Sequence, residues 1–262
     1  MNIDFGLMAS DYAKHRAGFP DEFFKRIFDE KIVEAGDSLV DIGTGTGTLA
    51  RGFASRGCHV IALDPSRSLM DQAKELDKLA GVTIEYRLAK AEETGLPDLY
   101  ADVVTGGQCW HWFDGPKAAE EIKRILKPNG KVIIAYFDWL PLRGNVAEAT
   151  EKLIQKHNPN WKMGGGLGIH PQYARDIAEA GFVDIRTFSF DIDVPYTPEA
   201  WRGRIRASAG VGASLSPENV ARFDSELKAM LENRNQLKAQ KEAGAESILQ
   251  IQHRVFAIIA HK

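Results

Sequence analysis

Leu39-Val-Asp-Ile-Gly-Thr-Gly-Thr-Gly-Thr48 decides the fold. A short apolar run ends in an acid, Asp41, and glycines follow at 43, 45 and 47. The pattern predicts a buried parallel strand, a tight turn, and a helix from Thr48 to Arg56. Glycines at such a turn let the backbone bend sharply and let a ligand lie against the main chain. The helix start adds free N–H donors. A dinucleotide fingerprint G-x-G-x-x-G needs a glycine at position 48, where Thr48 stands, so a nicotinamide enzyme is disfavoured.

Further strand-like runs follow in order. His59-Val-Ile-Ala-Leu-Asp64 ends in a second acid, a two-pronged acceptor suited to a pair of ribose hydroxyls. Val82–Tyr86 reads as the third strand, followed by the loop Lys90-Ala91-Glu92. Ala101–Gly106 reads as the fourth, with Gln108-Cys-Trp-His-Trp-Phe-Asp114 beyond it, and Lys131–Tyr136 as the fifth. Helices are expected over 48–56, 68–79 and 116–126. With its Asp-x-Gly-x-Gly-x-Gly motif and these ordered segments, the chain resembles the class I S-adenosylmethionine-dependent methyltransferases.

That resemblance implies an α/β fold: a doubly wound, seven-stranded, mostly parallel, Rossmann-like sheet, here with a helical cap. It implies S-adenosyl-L-methionine as cofactor, held by Asp41, Gly43, Thr44, Gly45, Gly47, Asp64, Ala91, Glu92 and Gln108. Relatives acting on small molecules carry an N-terminal Tyr-x-x-x-Arg segment that closes over the methionine carboxylate. Tyr12 and Arg16 match it, with Phe19 in place of the tyrosine before the proline. The family usually has an aspartate where Lys90 stands. Lysine cannot accept from the adenine amino group, so what reads the base is left open.

Composition agrees with a small-molecule enzyme. At 262 residues the chain can bury a full core. Its 33 basic and 36 acidic residues form no basic block, which argues against nucleic acid as partner. Two cysteines, Cys58 and Cys109, make neither a disulfide framework nor a metal knuckle, so no metal is expected. No apolar run reaches membrane-spanning length and no leader pattern is present, so a cytoplasmic monomer or homodimer is expected.

The second half departs from the usual family plan. A helix is expected over 146–157, another from Pro171 to Gly181, and strands over 183–192 and 250–260. The family's last two strands form a hairpin, whereas about 55 residues separate them here, too many for an ordinary connection. Thr197-Pro-Glu and Ser216-Pro-Glu each read as an N-cap followed by proline at the first helical position. The expected organisation is a cofactor-binding core over 37–192 and 248–262. A helical insert over 193–247 and an N-terminal helical segment over 1–36 would together cap the carboxyl edge of the sheet.

Candidate chemistry sits in the loop after the fourth strand. Trp110 and Trp112 offer aromatic faces to a sulfonium cation, or they simply pack the loop. His111 stands where a general base would be useful, or it is a structural histidine, since many methyl transfers need no base. Trp139, Arg202 and Arg204 are candidates for holding the acceptor, with a surface charge as the alternative for each arginine. Arg202 and Arg206 share a helix face and Arg204 lies on another. The resemblance is greatest to enzymes of the trans-aconitate methyltransferase type, which esterify small carboxylic acids. A phenol or ring-carbon methyltransferase and a non-catalytic cofactor-binding relative are the alternatives.

Overall fold

The computed structural model describes residues 18–234 and 247–262. Tyr12 and Arg16 lie outside the described residues. The chain divides into two compact units. A sheet unit comprises Gly18–Phe137, Ile169–Phe190 and Val255–Lys262. A helical unit comprises, among the described residues, Asp138–Gly168 and Asp191–Arg254. This division differs from the expected one. Residues 18–36 belong with the sheet, and 138–168 belong with the helical insert, which itself runs over 191–254 and so takes in 191–192 and 248–254 as well.

The sheet unit starts with α1 (Asp21–Asp29), whose apolar side chains Phe23, Phe24 and Ile27 are buried. Phe24 meets Phe53 edge-on at 5.2 Å, and Phe23 meets the same ring at 6.4 Å. This aromatic packing ties the N-terminal helix to the first crossover helix rather than to the insert. The pattern then alternates: β1 (Ser38–Ile42), α2 (Thr48–Ala54), β2 (His59–Asp64), α3 (Arg67–Ala80), β3 (Glu85–Leu88), β4 (Ala101–Gly107), α4 (Gly115–Ile125) and β5 (Leu126–Trp139). Strand β3 lies a few residues later than its sequence suggests; Val82–Ile84 fall outside it.

After β5 come α5 (Val146–His157), α6 (Tyr173–Glu179), β6 (Val183–Tyr196), α7 (Pro198–Arg206), α8 (Pro217–Glu232) and β7 (Leu249–His261). The sheet has seven strands in the order β3-β2-β1-β4-β5-β7-β6. Strands β1 to β5 pair in parallel. Short β-branched and apolar runs buried on both faces, with Leu39 and Val40 on opposite faces of β1, give the parallel strands their core. The order reverses at β1, between β2 and β4. In doubly wound sheets, ligands bind in the crevice beyond the carboxyl ends of the strands at such a switch.

The helical unit has its own core. Val146 and Ile154 of α5, Trp201 and Ile205 of α7, and Phe223, Leu227 and Leu231 of α8 pack together. The two Pro-started helices are capped as their sequences require. Thr197 Oγ1 accepts from Ala200 N–H at 3.1 Å, and Ser216 Oγ accepts from Asn219 N–H at 3.3 Å. Arg254 donates a fork to Asp191, Nε to Oδ1 at 2.6 Å and Nη2 to Oδ2 at 2.8 Å. Among the described residues no helix is long and apolar enough to cross a membrane, and no cluster of three His, Cys, Asp or Glu is placed to hold a metal.

Candidate active site

The turn between β1 and α2 brings two acids together. Asp41 is 1% exposed. Its Oδ2 accepts from the Thr44 hydroxyl and its Oδ1 from the Thr105 hydroxyl, both at 2.6 Å. Thr105 reaches it because β1 and β4 pair with Asp41 opposite Thr105. Burial pushes the Asp41 carboxyl up to about 6, with the two hydroxyl donors opposing the rise and the charge of Asp64 adding to it. Asp64, at the end of β2, accepts Gly45 N–H on Oδ2 and Ser66 N–H on Oδ1, each at 2.8 Å. Burial raises its pKa as well. Ser66, not Asp64, caps α3.

The three glycines differ in what surrounds them. A Cβ on Gly43 would come within 2.9 Å of Cys109 and Phe113, and one on Gly47 within 2.7 Å of the Tyr86 hydroxyl. Gly45, at φ +57°, faces open space, with nothing within 4 Å of a Cβ built there. Packing therefore explains Gly43 and Gly47, while Gly45 presents bare backbone. Arg51 of α2 folds back on the turn, donating to Thr46 O at 2.7 Å through Nη2 and to Gly47 O at 3.0 Å through Nη1. Asp77 pairs with Arg51 at 3.2 Å and accepts from the Tyr86 hydroxyl at 2.8 Å.

Beyond β4, Gln108 takes the left-handed conformation at φ +55°, a sparsely populated region for a side-chain-bearing residue. Its N–H donates to Ala135 O at 2.8 Å and its amide to Phe137 O, fixing the exit of the chain from the sheet. A single 3₁₀ turn over Trp110–Trp112 follows. It separates the candidates. Trp110 is 2% exposed, and its indole N–H donates to Asp176 Oδ2 at 2.8 Å, so it is a core residue and not, as expected, a catalytic one. Trp112 is 44% exposed, and its ring lies 4.5 Å from that of His111. His111 Nδ1 lies 3.0 Å from the Tyr136 hydroxyl. Tyr136 in turn stacks near His170 and Tyr173, at 4.0 and 5.6 Å. In the preceding loop, Ala91 is buried and Lys90 exposed. Glu92 Oε1 accepts Asp114 N–H at 2.8 Å, which ties that loop to the start of α4.

In the helical unit the arginines part company. Arg202 donates to both oxygens of Asp224 and to Glu199 at 2.6 Å. Its guanidinium is consumed within the helix pair, which removes it as a candidate for the acceptor. Arg204 stacks over Trp139, with its Cζ 4.8 Å from the ring centroid.

A family model described as a methyltransferase domain matches residues 40–134, from the first strand to the fifth. An uncharacterized methyltransferase of Schizosaccharomyces pombe is 30% identical over 194 residues, covering 72% of this chain and 72% of that protein. The chain belongs to the class I S-adenosylmethionine-dependent methyltransferases. An uncharacterized methyltransferase of Mycobacterium tuberculosis is 32% identical over 133 residues, covering 50% of this chain and 51% of that one. The chain thus spans about half the length of several curated relatives it matches. The solved phosphoethanolamine N-methyltransferase 2 of Haemonchus contortus was captured with phosphomonomethylethanolamine and S-adenosylhomocysteine. It matches with a TM-score of 0.57 at 22% identity, covering 98% of this chain and 57% of that one; the likeness is one of fold.

The turn of this methyltransferase fits the family's cofactor on its own chemistry. Two carboxylates with burial-raised pKa values repel each other across it, and a cationic ligand relieves both burdens. The open side of Gly45 supplies the cradle. Sequence reasoning missed Thr105, Arg51, Asp77, Tyr86 and Tyr136. Only Asp77 carried a readable signal. It follows Leu69, Met70 and Ala73 at helical spacing on the buried face of α3, where an acid needs a partner.

Proposed function

We propose that this methyltransferase binds S-adenosyl-L-methionine at the Asp41–Gly47 turn and delivers its methyl group to a small-molecule acceptor. The observation that carries the reading is the pair of buried acids, Asp41 and Asp64, around the open backbone of Gly45. Asp64 would accept from the ribose hydroxyls, using lone pairs left over from its two backbone bonds. Asp41 would face the ammonium group, held in place by Thr44 and Thr105. Gly43, Thr44 and Gly47 shape the turn, and Ala91 and Glu92 would flank the adenine. Gln108 sets the backbone beneath the His111 turn. Tyr12 and Arg16, by their family likeness, would hold the methionine carboxylate. When bound, the cofactor supplies an electrophilic methyl on a sulfonium centre. The chain supplies alignment and exclusion of water, with Trp112 and His111 beside the acceptor. A cytoplasmic location belongs to the same reading, as does the lack of a nucleic-acid partner, and only the latter is supported by the even charge balance.

Calorimetry is expected to show S-adenosylhomocysteine binding with a Kd of about 1 µM or tighter. Asp64→Ala should weaken it by about 1.5–3 kcal/mol, the size of hydrogen bonds to a charged group. Tight NAD binding with no response to either sulfur compound would overturn the reading.

The trans-aconitate likeness favours a carboxylate acceptor, which is already ionised and needs no base. One contact favours a phenol or acidic carbon instead. The Tyr136 hydroxyl can fix the tautomer and orientation of His111 as a general base. Under that second reading His111→Ala costs on the order of a hundredfold in kcat. Under the first it costs only a few-fold through packing.

A further inference from the structure

Three arginines share α7, and two of them are neutralised in place. Arg202 and Arg206 both bond Asp224 and Glu199. Arg204 makes no hydrogen bond or ion pair to any described residue; its recorded contact is the stack on Trp139. That ring is itself fixed. Trp139 Nε1 donates to Glu151 Oε1 at 2.8 Å, and Glu151 Oε2 accepts Gly165 N–H at 2.6 Å. The guanidinium lies deep in the helical unit, where burial lowers its pKa, yet it keeps some reachable surface. A guanidinium stays charged at every physiological pH. A desolvated charge lacking an acid partner is costly, and an incoming anion offsets that cost.

The neighbours narrow the anion. Tyr196 and His253 stand ring to ring at 5.9 Å within the same unit. The His253 pKa falls to about 4, through burial first and with Arg204 contributing, so this histidine is neutral at pH 7 and adds no positive charge. Asp138 contributes a negative field at Arg204, as does Tyr196 when ionised. One fixed positive charge, partly opposed by Asp138, suits a single negative charge and not a phosphate dianion. The planar fork of Arg204 matches the two coplanar oxygens of a carboxylate. Trp139 beside it offers an apolar wall to the rest of the molecule.

We propose that Arg204 anchors a binding site for the carboxylate of a monoanionic small molecule whose flat or apolar body lies against Trp139. That this molecule is a methyl acceptor rests on the methyltransferase reading, while the anion site stands or falls separately.

The test is calorimetry on the full chain with benzoate, trans-cinnamate and crotonate, their neutral amides, and inorganic phosphate, with S-adenosylhomocysteine present. Carboxylates are expected to bind at least tenfold tighter than their amides and than phosphate. Arg204→Met should weaken the best carboxylate tenfold or more, with Arg204→Lys intermediate because it keeps the charge and loses the fork. Both variants should bind S-adenosylhomocysteine within twofold of the parent, which also reports that they are folded. Should Arg204→Met not fold, the comparison of Arg204→Lys with the parent carries the test. Equal binding of carboxylates and amides, tighter binding of phosphate, or an affinity indifferent to both substitutions would overturn the proposal. Failure of the parent to bind S-adenosylhomocysteine would instead remove the cofactor reading, while the carboxylate titrations without it still report on Arg204.

Discussion

Asp41→Asn is expected to abolish a pH dependence of stability amounting to about 3 kcal/mol. The folded carboxyl titrates near 6 because it is buried, against 3.8 for the free side chain. The folded state therefore holds this proton more tightly than the unfolded chain does. The stability this group lends is complete below pH 3.8 and is lost as pH rises towards 6. At about 1.4 kcal/mol per tenfold change in proton affinity, the gap corresponds to roughly 3 kcal/mol. Urea unfolding of parent and variant at pH 4 and pH 7.5 isolates it, because other acids titrate in both proteins. The difference between the two proteins should shift in favour of the variant on going to the higher pH. Parallel behaviour would show that Asp41 is not the buried, destabilising charge described here. With Asp41 proposed to face the cofactor's ammonium, the variant should also bind S-adenosylhomocysteine less well than the parent.

The second large effect concerns the helical unit. Trp201→Ala should destabilise the protein by about 3–5 kcal/mol, the usual cost of truncating a large buried aromatic. The Trp201 side chain is fully buried. It meets Tyr196 at 5.3 Å and Trp139 at 5.6 Å, both edge-on. Its indole N–H donates to Thr150 Oγ1 at 3.1 Å, and that hydroxyl donates onward to Val146 O at 2.8 Å. Truncation leaves a cavity and removes a donor from a buried hydroxyl. Trp201→Phe should recover part of the loss by refilling the space without the hydrogen bond. A midpoint of thermal unfolding within a degree of the parent in Trp201→Ala would show that this ring does not organise the unit.

The contrast between the two sites explains how much could be read beforehand. The Asp41–Gly47 turn and Asp64 are legible because a strand, a turn and a helix are each local, and their residues follow one another in the chain. Thr105 is not, since its place beside Asp41 depends on the register between β1 and β4. Trp110, His111 and Trp112 stand side by side in sequence, yet one 3₁₀ turn sends Trp110 into the core and leaves Trp112 outside. No periodicity over three residues predicts that. Strand β3 is displaced because it is short and at the sheet edge, where little of its face is buried to mark the pattern. The insert's helices were readable from Thr197-Pro and Ser216-Pro, but its partnership with 138–168 was not. Ile154 meets Trp201 and Leu227 only through tertiary packing.

The Asp191–Arg254 fork bears on how such a protein diversifies. Asp191 and Arg254 begin and end the stretch 191–254 of the helical unit, and their side chains pair. A segment whose two ends meet at one point can be exchanged between homologues without rerouting the chain on either side. The exchange is not quite free, because Trp201 must find a Thr150 and a Trp139 on the resident segment. Recombination in this lineage would thus be expected to move 191–254 together with 138–168. If Arg204 and Trp139 hold the acceptor as proposed, its preference would then be inherited as a pair of cassettes, independently of the Asp41–Gly47 turn.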